Sequence, residues 1–211
     1  MQIRSQLVSC FIRACARCGR ACLRPVCKDC QGQPALAFTT PFGVPVRALS
    51  PYGGACQTMI TRLKYGDETI FAGHLGRALA HILPSDWQDA KVIPIPLHPR
   101  RLAERGYNQA ALLAVAMARQ AHLNVTTAHL SRVRQTQAQA RLGKVLRAEN
   151  LRNAFRVNGL SQSSVILVDD VVTTGHTVDA CAEVLQDSGN SVRGVLCCAL
   201  ARFEPSSDSH L

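Results

Sequence analysis

The chain has 211 residues, 47% of them hydrophobic, and a formal net charge of +10, which fits one globular domain with a real core plus a small appendage. The longest apolar run, residues 110–118, holds 9 residues and is too short to cross a bilayer. The weak apolar stretch between Arg4 and Arg13 has no small-residue cleavage site, so a cytoplasmic protein without membrane insertion is expected.

Six of the ten cysteines fall in the first 30 residues: Cys10, Cys15, Cys18, Cys22, Cys27 and Cys30. In a cytosolic chain such clustering points to a metal site more often than to disulfides, although a redox or disulfide cluster is the alternative. Cys15 with Cys18 and Cys27 with Cys30 form two Cys-x2-Cys knuckles, each able to present two thiolates to one tetrahedral zinc ion. Cys10 and Cys22 lie outside that spacing. Gly19 suits the tight turn of a knuckle, and Pro25 helps the short arm between the pairs to turn. A module over residues 10–33 has almost no core of its own, so zinc would supply its folding energy. Four thiolates leave no open position, which makes the site structural.

Pro34, Pro41, Pro45 and Pro51 make residues 34–51 an extended linker. A domain over residues 52–203 follows. Cys56, Met59, Ile60 and Leu63 recur at helical spacing, as do Phe71, Leu75, Ala78, Leu79 and Ile82. Residues 91–95 read as a strand, and residues 107–122 as a helix apolar nearly all round and therefore buried. Val125 and residues 155–157 are short strand candidates. Val165, Ile166, Leu167 and Val168 form a continuous apolar strand, the signature of a strand covered on both faces. Val178, Cys181, Ala182 and Leu185 mark an amphipathic helix, and residues 192–200 a last strand. Alternating strands and helices predict an α/β fold, doubly wound, with a mainly parallel sheet and flanking helices. The tail, residues 204–211, has no pattern and reads as disordered.

Residues 165–177 read V-I-L-V-D-D-V-V-T-T-G-H-T. The strand runs into Asp169 and Asp170, then into Thr173, Thr174, Gly175, His176 and Thr177, then into the helix. The loop lies at a helix N-terminus, where free N–H groups favour an anion, and ligands of open α/β sheets bind beyond the carboxyl ends of the strands. Two carboxylates repel a bare phosphate but accept hydrogen bonds from vicinal hydroxyls. Together the parts suggest a sugar phosphate. A buried strand ending in two solvated acids is the plainer alternative.

This stretch resembles the 5-phosphoribosyl-1-pyrophosphate (PRPP) motif of type I phosphoribosyltransferases, a fold with a flexible hood loop. The resemblance implies that Asp169 and Asp170 bind the ribose hydroxyls and that Thr173, Thr174, Gly175, His176 and Thr177 wrap the 5′-phosphate, with Mg²⁺ accompanying PRPP. The 6-oxopurine enzymes carry Asp where this chain has Thr173, which argues against that kind of salvage. His176 fills a variable position and carries no role of its own.

A second loop, Leu97-His98-Pro99-Arg100-Arg101, follows the strand at residues 91–95. Its paired guanidiniums match phosphate oxygens, though Arg pairs are also common in solvated turns. In the resembled fold a loop here holds pyrophosphate. Residues 132–150 are polar and basic, cannot be core, and resemble the flexible loop that closes over the site, with Arg134, Thr136 and Gln139 its marked residues. Four blocks in order resemble the ComF family: the cysteine knuckles, Leu63-Lys64-Tyr65-Gly66-Asp67, the Pro94-to-Gln109 block, and the segment from Arg134 into the PRPP motif. Membership implies a part in DNA uptake (competence) or in use of DNA as a nutrient. Partners implied are PRPP or a related sugar phosphate, single-stranded DNA and competence-machinery proteins; a dimer is compatible with the sequence.

Residues 97–156 carry eleven Lys or Arg against two acids, a surplus of +9. PRPP needs only a few of these cations; the rest suit a nucleic-acid backbone or simply a solvated surface. Tyr107 and Phe155 are the only aromatic candidates there, so base stacking on a broad platform is not expected. Two classes of function are therefore open: a phosphoribosyltransferase with unknown acceptor, or a nucleic-acid-binding protein on that scaffold, with a PRPP-sensing regulator as a weaker third.

Overall fold

The computed structural model describes residues 14–133 and 153–201. A five-stranded sheet runs in the order β1 (Leu36–Thr39), β2 (Pro45–Pro51), β7 (Ser191–Leu200), β6 (Ser164–Val172), β3 (Lys91–Pro94). β2, β7, β6 and β3 are mutually parallel, and β1 closes one edge antiparallel to β2. β4 (Leu130–Arg132) and β5 (Phe155–Val157) form a separate antiparallel ribbon. The helices are α1 (Lys28–Gln31), α2 (Gly54–Tyr65), α3 (Ile70–Ala80), α4 (Pro99–Arg105), α5 (Gln109–Ala121) and α6 (His176–Asp187).

The expected α/β class and mainly parallel sheet are what the chain forms. β6 shows why its sequence is continuously apolar. Successive side chains of a strand point to opposite faces, and each face here has its own core. Ile166 and Val168 are buried with α2, α3 and α5, whereas Val165 and Leu167 are buried with α6 and the β4–β5 ribbon. The first core continues into the cysteine segment, since Cys15, Ala16, Val26, Cys27 and Cys30 belong to the same cluster as Met59, Leu63 and Phe71. His74 Nε2 also meets the Ala14 carbonyl at 2.9 Å. The module lacks a core of its own by sharing that of its neighbour.

The structure corrects four local expectations. Residues 34–51 are extended, but as sheet: β1 and β2 lie within them, and Pro45 and Pro51 occupy only the two ends of β2, where a missing N–H is tolerated. The helix expected over residues 107–122 begins at Gln109, capped by the Asn108 side chain accepting from the Ala110 N–H at 3.0 Å. It is not buried all round, because Val115 is 48% exposed; its alanines favour helix as much as burial. The loop expected at residues 97–101 turns into helix at Pro99, with His98 Nδ1 accepting from the Arg100 N–H at 3.2 Å. Finally, β6 runs past the two acids to Val172, held by β7, while β3 stops at Pro94, opposite Val168. The sheet is therefore open beside Asp169 on the β3 side only.

Candidate functional site

Strand geometry separates the two acids. Asp170 is 3% exposed and turns toward α2, where its Oδ1 meets Lys64 Nζ at 2.8 Å. Its Oδ2 is buried and has no hydrogen-bond partner among the described residues. Asp169 is half-buried, and its Oδ1 accepts from the Asp170 backbone N–H at 2.8 Å. Burial first, and then the neighbouring Asp170 charge, push Asp169 up to about 8; the Asp170 N–H, Lys64 and Arg132 pull the other way without prevailing. The carboxyl is therefore held above the ordinary carboxylate range, and a bound hydroxyl donor or a cation would favour its ionised form.

The loop after β6 exposes Thr173, Thr174 and His176, half-buries Thr177 and buries Gly175. Gly175 caps α6 in the left-handed conformation, φ 85°, which a side chain rarely adopts. A Cβ there would lie 2.7 Å from Thr40 Cγ2. Thr40 stands in the turn between β1 and β2, its hydroxyl accepting from the Val44 N–H at 3.0 Å. Below the loop Asp179 is 2% exposed in the first turn of α6. Burial raises its carboxyl, while the Thr40 hydroxyl, His176 and the Phe42 N–H act to lower it. So the hairpin is a wall of the loop, and Asp179 lies buried beneath it with no hydrogen-bond partner on either carboxylate oxygen among the described residues.

Of the two expected pyrophosphate guanidiniums, the structure brings only one toward the acids. Arg100 turns along α4 to Glu104 at 3.1 Å, both exposed. Arg101 lines a cavity of about 480 Å³ with Lys64, Tyr65, Asp67, Glu104 and Arg105, and Lys64 links that cavity to Asp170. Arg134, Thr136 and Gln139 lie outside the described residues. Neither aromatic of the basic segment offers an open platform: Phe155 is 5% exposed and Tyr107 gives its hydroxyl to the Leu63 carbonyl. Tyr65, 77% exposed, is the open ring.

The four expected thiols converge. The Sγ atoms of Cys15, Cys18, Cys27 and Cys30 all lie within 4.8 Å of one another. Cys18 Sγ and Cys27 Sγ are 3.7 Å apart, close to the ~3.8 Å edge of a tetrahedron with zinc–sulfur bonds of about 2.3 Å. Backbone bonds shape the first knuckle, from Cys15 N–H to the Arg20 carbonyl at 2.8 Å and from Gly19 N–H to the Cys15 carbonyl at 2.9 Å. The Arg17 guanidinium fastens the second by donating to the carbonyls of Cys30, Gln33 and Pro34. Burial acts to raise Cys15, but N–H groups of Cys18, Cys27 and Arg17 outweigh it and bring the thiol down to about 7. Burial and the adjacent thiols push Cys30 up to about 12. Such a set can hold a metal ion. Cys22 stands apart, its thiol on the Arg24 carbonyl at 2.9 Å. Cys56, Cys181, Cys197 and Cys198 are buried, as small apolar residues.

The sequence marked Lys64 as an edge of the site without placing it, and missed Thr40. Lys64 was visible in a block of the ComF resemblance, but nothing in its spacing tied it to Asp170. Thr40 gave no signal, being in a segment taken for linker.

No family model matches the chain. It is 31% identical over 201 residues to the DNA utilization protein YhgH of Escherichia coli, covering 87% of this chain and 88% of that one. It is 35% identical over 129 residues to competence protein F of Haemophilus influenzae, covering 54% and 56%. Competence protein ComFC of Streptococcus pneumoniae is 28% identical over 181 residues, covering 83% and 75%. Among solved structures, the Thermus thermophilus protein TT1426 aligns with 66% of this chain and 86% of its own at 16% identity and a TM-score of 0.37. The UMP synthase of Leishmania donovani aligns with 66% of this chain and 24% of its own at 14% identity and a TM-score of 0.36. Among the described residues no helix is long and apolar enough to cross a membrane.

Proposed function

The chain belongs to the ComF family of competence and DNA-utilisation proteins, and from that premise we propose that it acts in DNA uptake or in the use of DNA as a nutrient, binding PRPP at residues 169–177. The observation that carries the PRPP reading is the buried Asp170 Oδ2, an acceptor without a donor among the described residues, next to an exposed hydroxyl-lined loop at a helix N-terminus. A buried unpaired acceptor is costly, and a ribose hydroxyl supplies the donor it lacks.

In this reading Asp169 and Asp170 accept from the ribose hydroxyls. Thr173, Thr174 and Thr177 donate to the 5′-phosphate, with Gly175 allowing close approach and His176 at the exposed rim. Arg101 faces pyrophosphate, and Arg100, turned to Glu104, gives way to it only if that surface pair opens. Mg²⁺ travelling on pyrophosphate would neutralise charge there. Transfer would break the bond from ribose C1 to pyrophosphate and form one to an acceptor. The two carboxylates would offset the positive charge growing on the sugar. The thiol cluster fits zinc in a structural role, bracing α2, whose last turn carries Lys64.

PRPP with Mg²⁺ should raise the melting temperature by an amount that grows with the logarithm of its concentration. Asp169→Asn and Asp170→Asn should lose that dependence. If wild type shows no shift at millimolar PRPP while folded, the reading fails.

A further inference from the structure

Tyr65 ends α2 as the most exposed of the described aromatic side chains. An isolated exposed ring means little; its surroundings are what distinguish this one. The Arg105 guanidinium lies 5.5 Å from the ring centroid, over one face, and is itself steadied by Gln109. At 77% exposure the rest of the ring stays open. The ring borders the cavity that holds Lys64, Asp67, Arg101 and Glu104. Glu104 is engaged from outside by Arg100 and Lys64 is engaged by Asp170. The Arg101 side chain makes no ion pair or hydrogen bond among the described residues.

We infer that this cavity binds one unpaired nucleobase together with its phosphate. The base lies on the open face of Tyr65, a stacking surface electronically matched to the cation on its far side. The phosphate meets Arg101. Asp67 accepts from an exocyclic amino group, as carboxylates do from cytosine. A bare phosphate would leave the ring unused, and a duplex keeps its bases from it. About 480 Å³ is ample for one nucleotide. The nucleotide comes either free or as part of a single strand. The site meets the pyrophosphate side of the PRPP reading at Arg101 but uses none of residues 169–177, and its test uses no PRPP, so the two readings fail separately.

The experiment measures anisotropy of a labelled short oligodeoxycytidine with the full zinc-loaded chain at fixed salt. Unlabelled dCMP and a duplex of the same length serve as competitors. Wild type binds the oligomer and the duplex competes poorly. Tyr65→Ala weakens binding roughly 5- to 100-fold, Tyr65→Phe stays within about twofold because the ring remains, and Arg101→Ala weakens binding and lowers the salt slope by about one. Competition by dCMP that is lost in Tyr65→Ala identifies a free nucleotide as the source; its absence identifies a strand; either supports the site. Binding unchanged in a folded Tyr65→Ala, equal competition by duplex, or no binding of oligomer and dCMP alike overturns it. Arg101→Ala, on a different helix, keeps the question decidable if Tyr65→Ala does not fold.

Discussion

Replacing Lys64 by Met removes the only cation ion-paired with Asp170 among the described residues, across 2.8 Å, in a place where the two side chains are 20% and 5% exposed. The Asp170 carboxylate would then keep no partner on either oxygen from any described side chain, since Oδ2 already has none. Breaking a buried pair by deleting one member costs about 3–5 kcal/mol, because the remaining charge is left uncompensated. Water reaches Lys64 in part, and that screening brings the expected loss to about 2–3 kcal/mol. At ~2–4 °C per kcal/mol for a chain of this size, the melting temperature should fall by roughly 4–12 °C. Asp170→Asn removes the stranded charge, so Lys64→Met with Asp170→Asn should recover at least half of the loss. Circular dichroism melting of the four proteins in a zinc-containing buffer closes the cycle. A Lys64→Met protein that melts within about 1 °C of wild type, with no coupling to Asp170→Asn, would refute the claim that this pair holds the acid.

Two more outcomes follow from the same physics. The Asp169 carboxyl sits at about 8 in the fold against about 3.9 unfolded, so the native state binds the extra proton between those values and loses stability as pH rises through that window. Asp169→Asn should therefore gain on wild type in urea midpoint from about pH 5 to about pH 8; a difference that stays flat would contradict the buried, charge-crowded environment. For the thiol cluster, elemental analysis should find one zinc per chain, and a strong chelator should lower the melting temperature, because Cys15, Cys27 and Cys30 share a core with α2 and α3. A metal-free protein that melts like the untreated one would exclude a structural zinc.

Much of the site was legible because local chemistry declares it. The run Val165-Ile166-Leu167-Val168 has no polar face since α5 and α6 cover both sides, and such a strand followed by acids, threonines and glycine admits few arrangements. The knuckles were equally plain, because tetrahedral thiolate coordination fixes their spacing. What escaped depends on contacts far apart in the chain. Lys64 meets Asp170 only after α2 packs on the sheet, against β7 beside β6. Thr40 reaches Gly175 only because β2 pairs with β7 in the sheet, and the prolines of residues 34–51 hid that strand by sitting at its ends. Arg100 and Arg101 look alike in sequence; on α4 one faces Glu104 and the other the cavity, a distinction created by the helix that Pro99 and His98 start.

The central claim is that residues 169–177 cradle PRPP. Isothermal calorimetry of the full chain with PRPP and Mg²⁺ tests it most directly. The account predicts one saturable site per chain, competed by ribose 5-phosphate and lost in Asp169→Asn and Asp170→Asn. No heat from the folded wild-type protein, or heat undiminished in both variants, would contradict it.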